Sequence, residues 1–124
     1  MTASGPQVRV LVVDDHPPFR QAVVSMLGLD ERYVVVGEAA DGEEAVELAA
    51  RLSPSLVVMD VRLPGISGVE ATSRIHARQP DIAVVLVSTH SAAELPAGYE
   101  SCGALAFSPK ESVDLELFDR VLAG

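Results

Sequence analysis

Val8-Arg9-Val10-Leu11-Val12-Val13-Asp14-Asp15 is an apolar run that stops abruptly on two carboxylates. The pattern returns twice. Leu56-Val57-Val58-Met59 stops at Asp60, and Ile82-Ala83-Val84-Val85-Leu86-Val87 stops at Ser88-Thr89. A shorter run, Ala104-Leu105-Ala106-Phe107, is followed by Lys110. Runs of this length, rich in β-branched residues, read as strands buried on both faces. In an open parallel sheet the carboxyl ends of such strands share one rim, and ligands bind there. The run ends therefore predict a fold and a site together.

Between the runs lie helical patterns. Pro17-Pro18 marks a helix entry, and Phe19, Ala22, Val23, Met26 and Leu27 recur at helical spacing up to Gly28. Tyr33 to Gly37 reads as a second strand. Asp41 with Glu44 forms a capping pair ahead of the stripe Ala45, Leu48, Ala49 and Leu52, which Ser53-Pro54 ends. Pro64-Gly65 marks a loop. Ser67 with Glu70 caps a helix bearing Val69, Thr72 and Ile75 or His76, which Gln79-Pro80-Asp81 closes. Ser91 and Glu94 suggest another cap, but Pro96 and Gly98 follow at once. Interior Pro costs a helix about 3 kcal/mol and Gly roughly 1 relative to Ala, so a short, distorted or mobile fourth helix is expected. The last strand is predicted over Ala104–Phe107. The last helix is predicted to start near Ser112, with Leu115, Phe118 and Leu122 on one face. Five β–α units with right-handed crossovers give a doubly wound, five-stranded parallel α/β sheet.

The bulk composition sets bounds. A chain of 124 residues with 48% apolar and 22% charged residues is one ordinary globular domain. A formal charge of -9 argues against direct binding of nucleic acid or an anionic membrane. It suits a cation pocket or a basic protein partner. Cys102 is the single cysteine, so no internal disulfide forms. No run has signal-sequence or membrane-spanning character, and a cytoplasmic protein is expected.

The strand-end residues carry the chemistry. One Asp after a strand is an ordinary loop or cap residue. Three are different: Asp14 and Asp15 follow the first strand and Asp60 the third, which neighbour each other in such a sheet. Crowded carboxylates repel unless a cation lies between them. Mg2+ accepts carboxylate and phosphate oxygens while keeping several waters, so a Mg2+ site poised for a phosphoryl group is expected. Ser88 offers a hydroxyl donor. The chain has eight arginines and one lysine, and that lysine is Lys110. A compact point charge suits one phosphoryl oxygen in a crowded acidic pocket better than a planar fork does. His16, His76 and His90 are scattered, which speaks against a histidine metal site.

Residues 7–124 resemble the receiver domain of bacterial two-component response regulators. The resemblance is carried by Asp14-Asp15, by Asp60-Val61-Arg62-Leu63-Pro64-Gly65 with Gly68, by Ser88 and by Lys110. Gly103 to Lys110 and the final Val-Leu-Ala-Gly look most like the NarL/FixJ-type branch. Residues 1–6 are expected to form a flexible N-terminal tail. The resemblance implies a flavodoxin-like strand order, 2-1-3-4-5. It implies that Asp60 accepts a phosphoryl group from a sensor histidine kinase or a small phosphodonor. Asp15 would bind Mg2+ directly, Asp14 largely through water, and the Arg62 backbone carbonyl would complete the protein ligands. Ser88 and Lys110 would hold the phosphoryl oxygens. Phe107 would act with Ser88 as the switch, although an aromatic on a final strand is also an ordinary core residue. Arg62 and His90 fall where the family tunes dephosphorylation. Many relatives place a cis proline after the lysine, where this chain has Glu111.

The implied role is a phosphorylation-dependent switch without enzymatic turnover on other substrates, relaying its state to an output domain or effector in transcription regulation. NarL/FixJ-type receivers precede a helix-turn-helix DNA-binding domain, and none lies in these residues. Because the chain halts as its last helix would end, an excised receiver is expected; a homodimer is left open. Competing readings are a receiver-like domain acting by protein contact alone and an aspartyl-phosphate hydrolase. Hydrolases of the haloacid dehalogenase type need an acid/base two positions after the nucleophile, and Arg62 cannot serve. A flavodoxin-type cofactor module is disfavoured because Asp14-Asp15 would repel a flavin phosphate.

Overall fold

The computed structural model describes residues 7–89 and 98–124. Alternation along the strands organises everything else. In β1 (Val8–Val13), Val10 and Val12 point to one face, while Leu11 and Val13 point to the other. The same division holds in β3 (Leu56–Asp60), with Leu56 and Val58 opposite Val57 and Met59. In β4 (Ala83–Ser88) it separates Val85 and Val87 from Val84 and Leu86. Both faces of these strands are apolar, so both must be covered. Helices α1 (Pro17–Leu27) and α4 (Leu115–Ala123) cover the first face with Val23, Leu27, Leu117 and Phe118. Helices α2 (Gly42–Leu52) and α3 (Gly68–Arg78) cover the second with Ala45, Ala49, Ala71 and Ile75.

With β2 (Tyr33–Ala39) and β5 (Ala106–Pro109) the sheet is all-parallel and runs β2-β1-β3-β4-β5. This is the doubly wound, flavodoxin-like order expected. Register fixes the functional rim. Val13 pairs with Met59, so Asp14 and Asp60 are the next residues on adjacent strands. Asp60 pairs with Val87, and Ser88 pairs with Pro109, immediately before Lys110.

Local signals behave as their chemistry requires. The Asp41 carboxylate accepts from Glu44 N at 2.7 Å, and Glu44 Oε1 accepts from Ala40 N at 2.9 Å. Ser67 Oγ accepts from Glu70 N at 3.1 Å, but the Glu70 side chain turns to Arg74 at 2.9 Å instead of reaching back. Ser53 ends α2 in the left-handed region at φ 46. Its carbonyl accepts from Arg9 and its hydroxyl from Gln79, which secures a conformation that a residue with a Cβ disfavours.

Several boundaries differ from expectation. The last strand is Ala106–Pro109, two residues later than Ala104–Phe107. Pro109 is tolerated because β5 is an edge strand, where a missing N–H leaves no ladder bond unmade. The final helix starts at Leu115, capped by Asp114 accepting from Leu117 N at 2.8 Å, and a 3-10 turn over Lys110–Ser112 replaces the predicted start near Ser112. Strand β2 runs on past Gly37 to Ala39. Ala22 and His76 face solvent, while Ile75 takes the inward position on α3. Among the described residues every peptide bond is trans, including Lys110-Glu111. Residues 1–6 and the expected fourth-helix signals Ser91, Glu94 and Pro96, together with His90, lie outside the described residues.

Candidate functional site

The site is built at the carboxyl rim from the ends of β1, β3, β4 and β5. Asp14 is fully buried and Asp60 nearly so, while Asp15 is exposed. One carboxylate oxygen from each lies within 4.8 Å of the others. Two turns aim the buried pair. Asp14 Oδ1 accepts from His16 N at 2.8 Å, and Asp60 Oδ1 accepts from Arg62 N at 3.2 Å. Each carboxylate thus receives the N–H two residues ahead, the turn Asp favours at the end of a strand.

Gly68 keeps α3 close to Asp60. A Cβ there would overlap the Asp60 carbonyl oxygen. In its absence Gly68 N donates to Val61 O at 2.8 Å, and the β3–α3 connection folds tightly behind Asp60.

Lys110 reaches in from the end of β5. Its Nζ lies 2.7 Å from Asp14 Oδ2 and 3.4 Å from Asp60 Oδ2, and the side chain is only 14% exposed. The shorter contact is an ion pair without hydrogen-bond alignment, so Asp14 Oδ2 stays a buried oxygen with no aligned donor. The longer contact to Asp60 does satisfy hydrogen-bond geometry. Burial pushes the Asp60 carboxyl up to about 6, and the Asp14 charge adds to the rise, against the opposing pull of Lys110 and Arg62 N.

All the expected carboxylates and Lys110 therefore meet at one point. Ser88 is buried at the end of β4 on the same rim. Arg62 supplies its backbone here, and its side chain is exposed. Phe107 is half-buried on β5 against the α2/α3-side core, with Leu86 as its strand partner. Sequence reasoning passed over two residues of α1. The Phe19 ring centroid lies 4.6 Å from Lys110 Nζ. Arg20 Nη1 donates to Asp14 O at 2.6 Å while its Nε pairs with Glu38 at 3.0 Å. Both sit one turn beyond Asp14-Asp15; Phe19 is hidden by its place in the apolar stripe of α1, and Arg20 reads as an ordinary charged helix residue.

The donor set is chemically specific. Three carboxylates, two of them buried, with one oxygen left unaligned, make an acidic pocket able to hold a metal. Oxygen-only donors suit a hard divalent cation. Beside Asp15 the pocket opens into a hollow of about 520 Å3, lined by Val61, Arg62, Leu63, Pro64, Gly65 and Ser67, which gives access from solvent. Among the described residues no helix is long and apolar enough to cross a membrane.

Comparison with known proteins agrees with this architecture. Residues 10–122 match the response regulator receiver domain family. The chain is 42% identical over 103 residues to the response regulator GacA of Pseudomonas aeruginosa, covering 83% of this chain and 48% of GacA. It is 51% identical over 82 residues to protein-glutamate methylesterase/protein-glutamine glutaminase 4 of Myxococcus xanthus, covering 66% of this chain but 23% of that protein. The solved signal receiver domain of NarL from Mycobacterium tuberculosis superposes with a TM-score of 0.86 at 35% identity, covering 96% of both chains. The chain thus spans about half the length of GacA and less of the methylesterase. With that match over nearly its whole length, on a sheet of this order and with this rim, the chain belongs to the response regulator receiver domain family.

Proposed function

We propose that residues 7–124 form a phosphorylation-dependent signalling switch in which Asp60 takes one phosphoryl group. The observation that carries this reading is the meeting of Asp60 with two further carboxylates and the chain's lone lysine, within 4.8 Å for the carboxylate oxygens and 3.4 Å for the lysine. A carboxylate oxygen of Asp60 attacks phosphorus. The bond from phosphorus to the donor breaks, and its electron pair leaves with the imidazole of a kinase histidine or the carboxylate of an acyl phosphate. Arg62 N holds Asp60 Oδ1, which leaves Oδ2 facing the pocket. Asp14, Asp15, Asp60 and the Arg62 carbonyl are the residues that would hold Mg2+, which supplies neutralising charge to the phosphoryl oxygens when bound. Lys110 and Ser88 take the remaining phosphoryl oxygens. This is positioning and charge neutralisation rather than proton transfer.

The phosphoryl group is a new dianion beside Ser88 and Lys110, and in this reading Phe107 on β5 answers a movement of Ser88. A sensor histidine kinase is the proposed donor and transcription regulation the proposed output, as in GacA-like response regulators. The match to the methylesterase covers only 23% of that protein, and the domain itself has no acid/base partner for turnover at Arg62. The expected location is the cytoplasm.

Incubation with acetyl phosphate and Mg2+, followed by intact-mass measurement, tests the reading. One phosphoryl increment is expected on the native chain and none on Asp60→Asn or in chelator. A native chain that takes no increment would favour a receiver-like domain acting by contact alone.

A further inference from the structure

Lys110 has a third neighbour that the phosphorylation reading does not use. Its Nζ lies over the ring of Phe19, 4.6 Å from the centroid. The lysine side chain is only 14% exposed, so little water completes its shell. Its two other neighbours are both carboxylates committed to the site. We propose that Phe19 is a positioning residue for Lys110, its aromatic face holding the ammonium at the pocket while a cation meets Asp14 and a phosphoryl group meets Asp60. This inference rests on the reading of Lys110 as the group that meets the phosphoryl oxygens.

The physical case begins with competition. Asp14 Oδ2 is both the nearest anion to Lys110 and the buried oxygen that the acidic pocket offers to a cation. A cation at Asp14 repels the ammonium and removes its closest partner. A lysine stem has four rotatable bonds and a strong preference for water, so a released ammonium tends to leave a crowded acidic pocket. The face of an aromatic ring attracts a cation without carrying charge of its own. It therefore neither competes for the metal nor repels an arriving phosphoryl group, as a carboxylate in the same place would. Phe19 is also well anchored for the task. It lies in the first turn of α1, directly after Pro17-Pro18, and packs against the core between the sheet and the α1/α4 layer. Leu at this position would preserve apolar bulk but lose the quadrupole.

A fluorination series separates electrostatics from packing. Phe19 is replaced by its 4-fluoro, 3,5-difluoro and pentafluoro analogues, alongside Phe19→Leu and Phe19→Tyr. Two quantities are read: the phosphorylation rate with acetyl phosphate at saturating Mg2+, and the proton shifts of the Lys110 ε-methylene in the metal-free protein. In the native chain the ε-methylene should be shifted upfield by the ring, and Phe19→Leu should return it to the ordinary lysine position. The rate should fall stepwise with each added fluorine and by about three- to thirtyfold in Phe19→Leu, the range from an exposed to a desolvated cation–π contact. Phe19→Tyr should restore it. An ordinary ε-methylene position in the native chain overturns the proposal whether or not phosphorylation occurs. So do equal rates across the fluorinated series, because packing alone would then explain any Phe19→Leu effect. If the native chain is not phosphorylated while the ε-methylene carries the ring shift, the phosphorylation reading fails and the Phe19–Lys110 contact stands.

Discussion

The ammonium of Lys110 sits closer to Asp14 than to Asp60, at 2.7 against 3.4 Å. The lysine is thus paired most tightly with a carboxylate of the acid pair rather than with the one proposed to be phosphorylated. Two positive charges compete for Asp14 in this arrangement, the ammonium and any cation entering the pocket.

The folded chain binds a proton on Asp60 more readily than the unfolded chain does. The carboxyl is raised from 3.8 to about 6, chiefly by burial. The stability contribution is therefore full below the unfolded value and is lost as pH rises through the window from about 4 to 6. Asp60→Asn removes that loss. In chelator at pH 7.5 the variant should be more stable by roughly 2–3 kcal/mol, and at pH 4 the gap should close. Urea unfolding midpoints across pH measure this. A gap that does not change with pH contradicts the burial account.

Removing the ammonium should free Asp14 for metal. Lys110→Ala is expected to bind Mg2+ about tenfold more tightly, the factor carried by roughly 1.4 kcal/mol of like-charge repulsion. Without metal the same variant should be less stable, because the acidic groups lose their counter-charge. Calorimetric titration with Mg2+ reads the first effect. Weaker binding in the variant would mean that the lysine supports the metal site instead of competing with it.

Gly68 has no room for a side chain, since a Cβ would press on the Asp60 carbonyl. Gly68→Ala should cost about 1–3 kcal/mol, as overpacking at a rigid contact does. It should also slow phosphorylation, because the strain falls on the backbone that aims Asp60. Thermal melts and the acetyl phosphate assay check both. A variant as stable as the native chain would show that α3 can retreat freely.

Much of this was readable before any coordinates. Buried parallel strands declare themselves as continuous apolar runs, and Asp14, Asp60 and Ser88 stand where those runs stop. Connectivity and handedness limit the sheet to a doubly wound one, while the order 2-1-3-4-5 is legible only through the family resemblance. What the residues concealed was of two kinds. Edge elements are weakly specified: β5 is half-exposed, so its apolar run does not mark its register, and Pro109 at its end reads as a terminator although the edge tolerates it. Bifunctional residues were concealed as well. Phe19 fits the periodic stripe of α1, and only the distance to Lys110 reveals its second contact. The Asp114 cap was overlooked because Ser112, two residues earlier, is an equally good capping type.

A second network far from the rim ties β2 to α4. Tyr33 OH donates to Asp119 Oδ1 at 2.6 Å, and Arg32 bridges Asp119 and Asp30 at 3.1 and 2.6 Å. Burial and the Asp119 carboxylate push the Tyr33 phenol upward. Tyr33→Phe should cost about 1–2 kcal/mol at neutral pH by leaving one hydrogen bond to a carboxylate unmade. The phosphorylation rate should not change, because the pocket is built without this corner. A loss of phosphorylation with intact folding would reveal coupling between the two ends of the sheet.

The most direct measurement maps the phosphoryl group itself. The chain is phosphorylated with acetyl phosphate and Mg2+, reduced with borohydride to convert an acyl phosphate to an alcohol, and digested for peptide sequencing by mass spectrometry. Reduction is expected at Asp60 alone, converting it to homoserine. Reduction at Asp14 or Asp15, or none at Asp60, would contradict it.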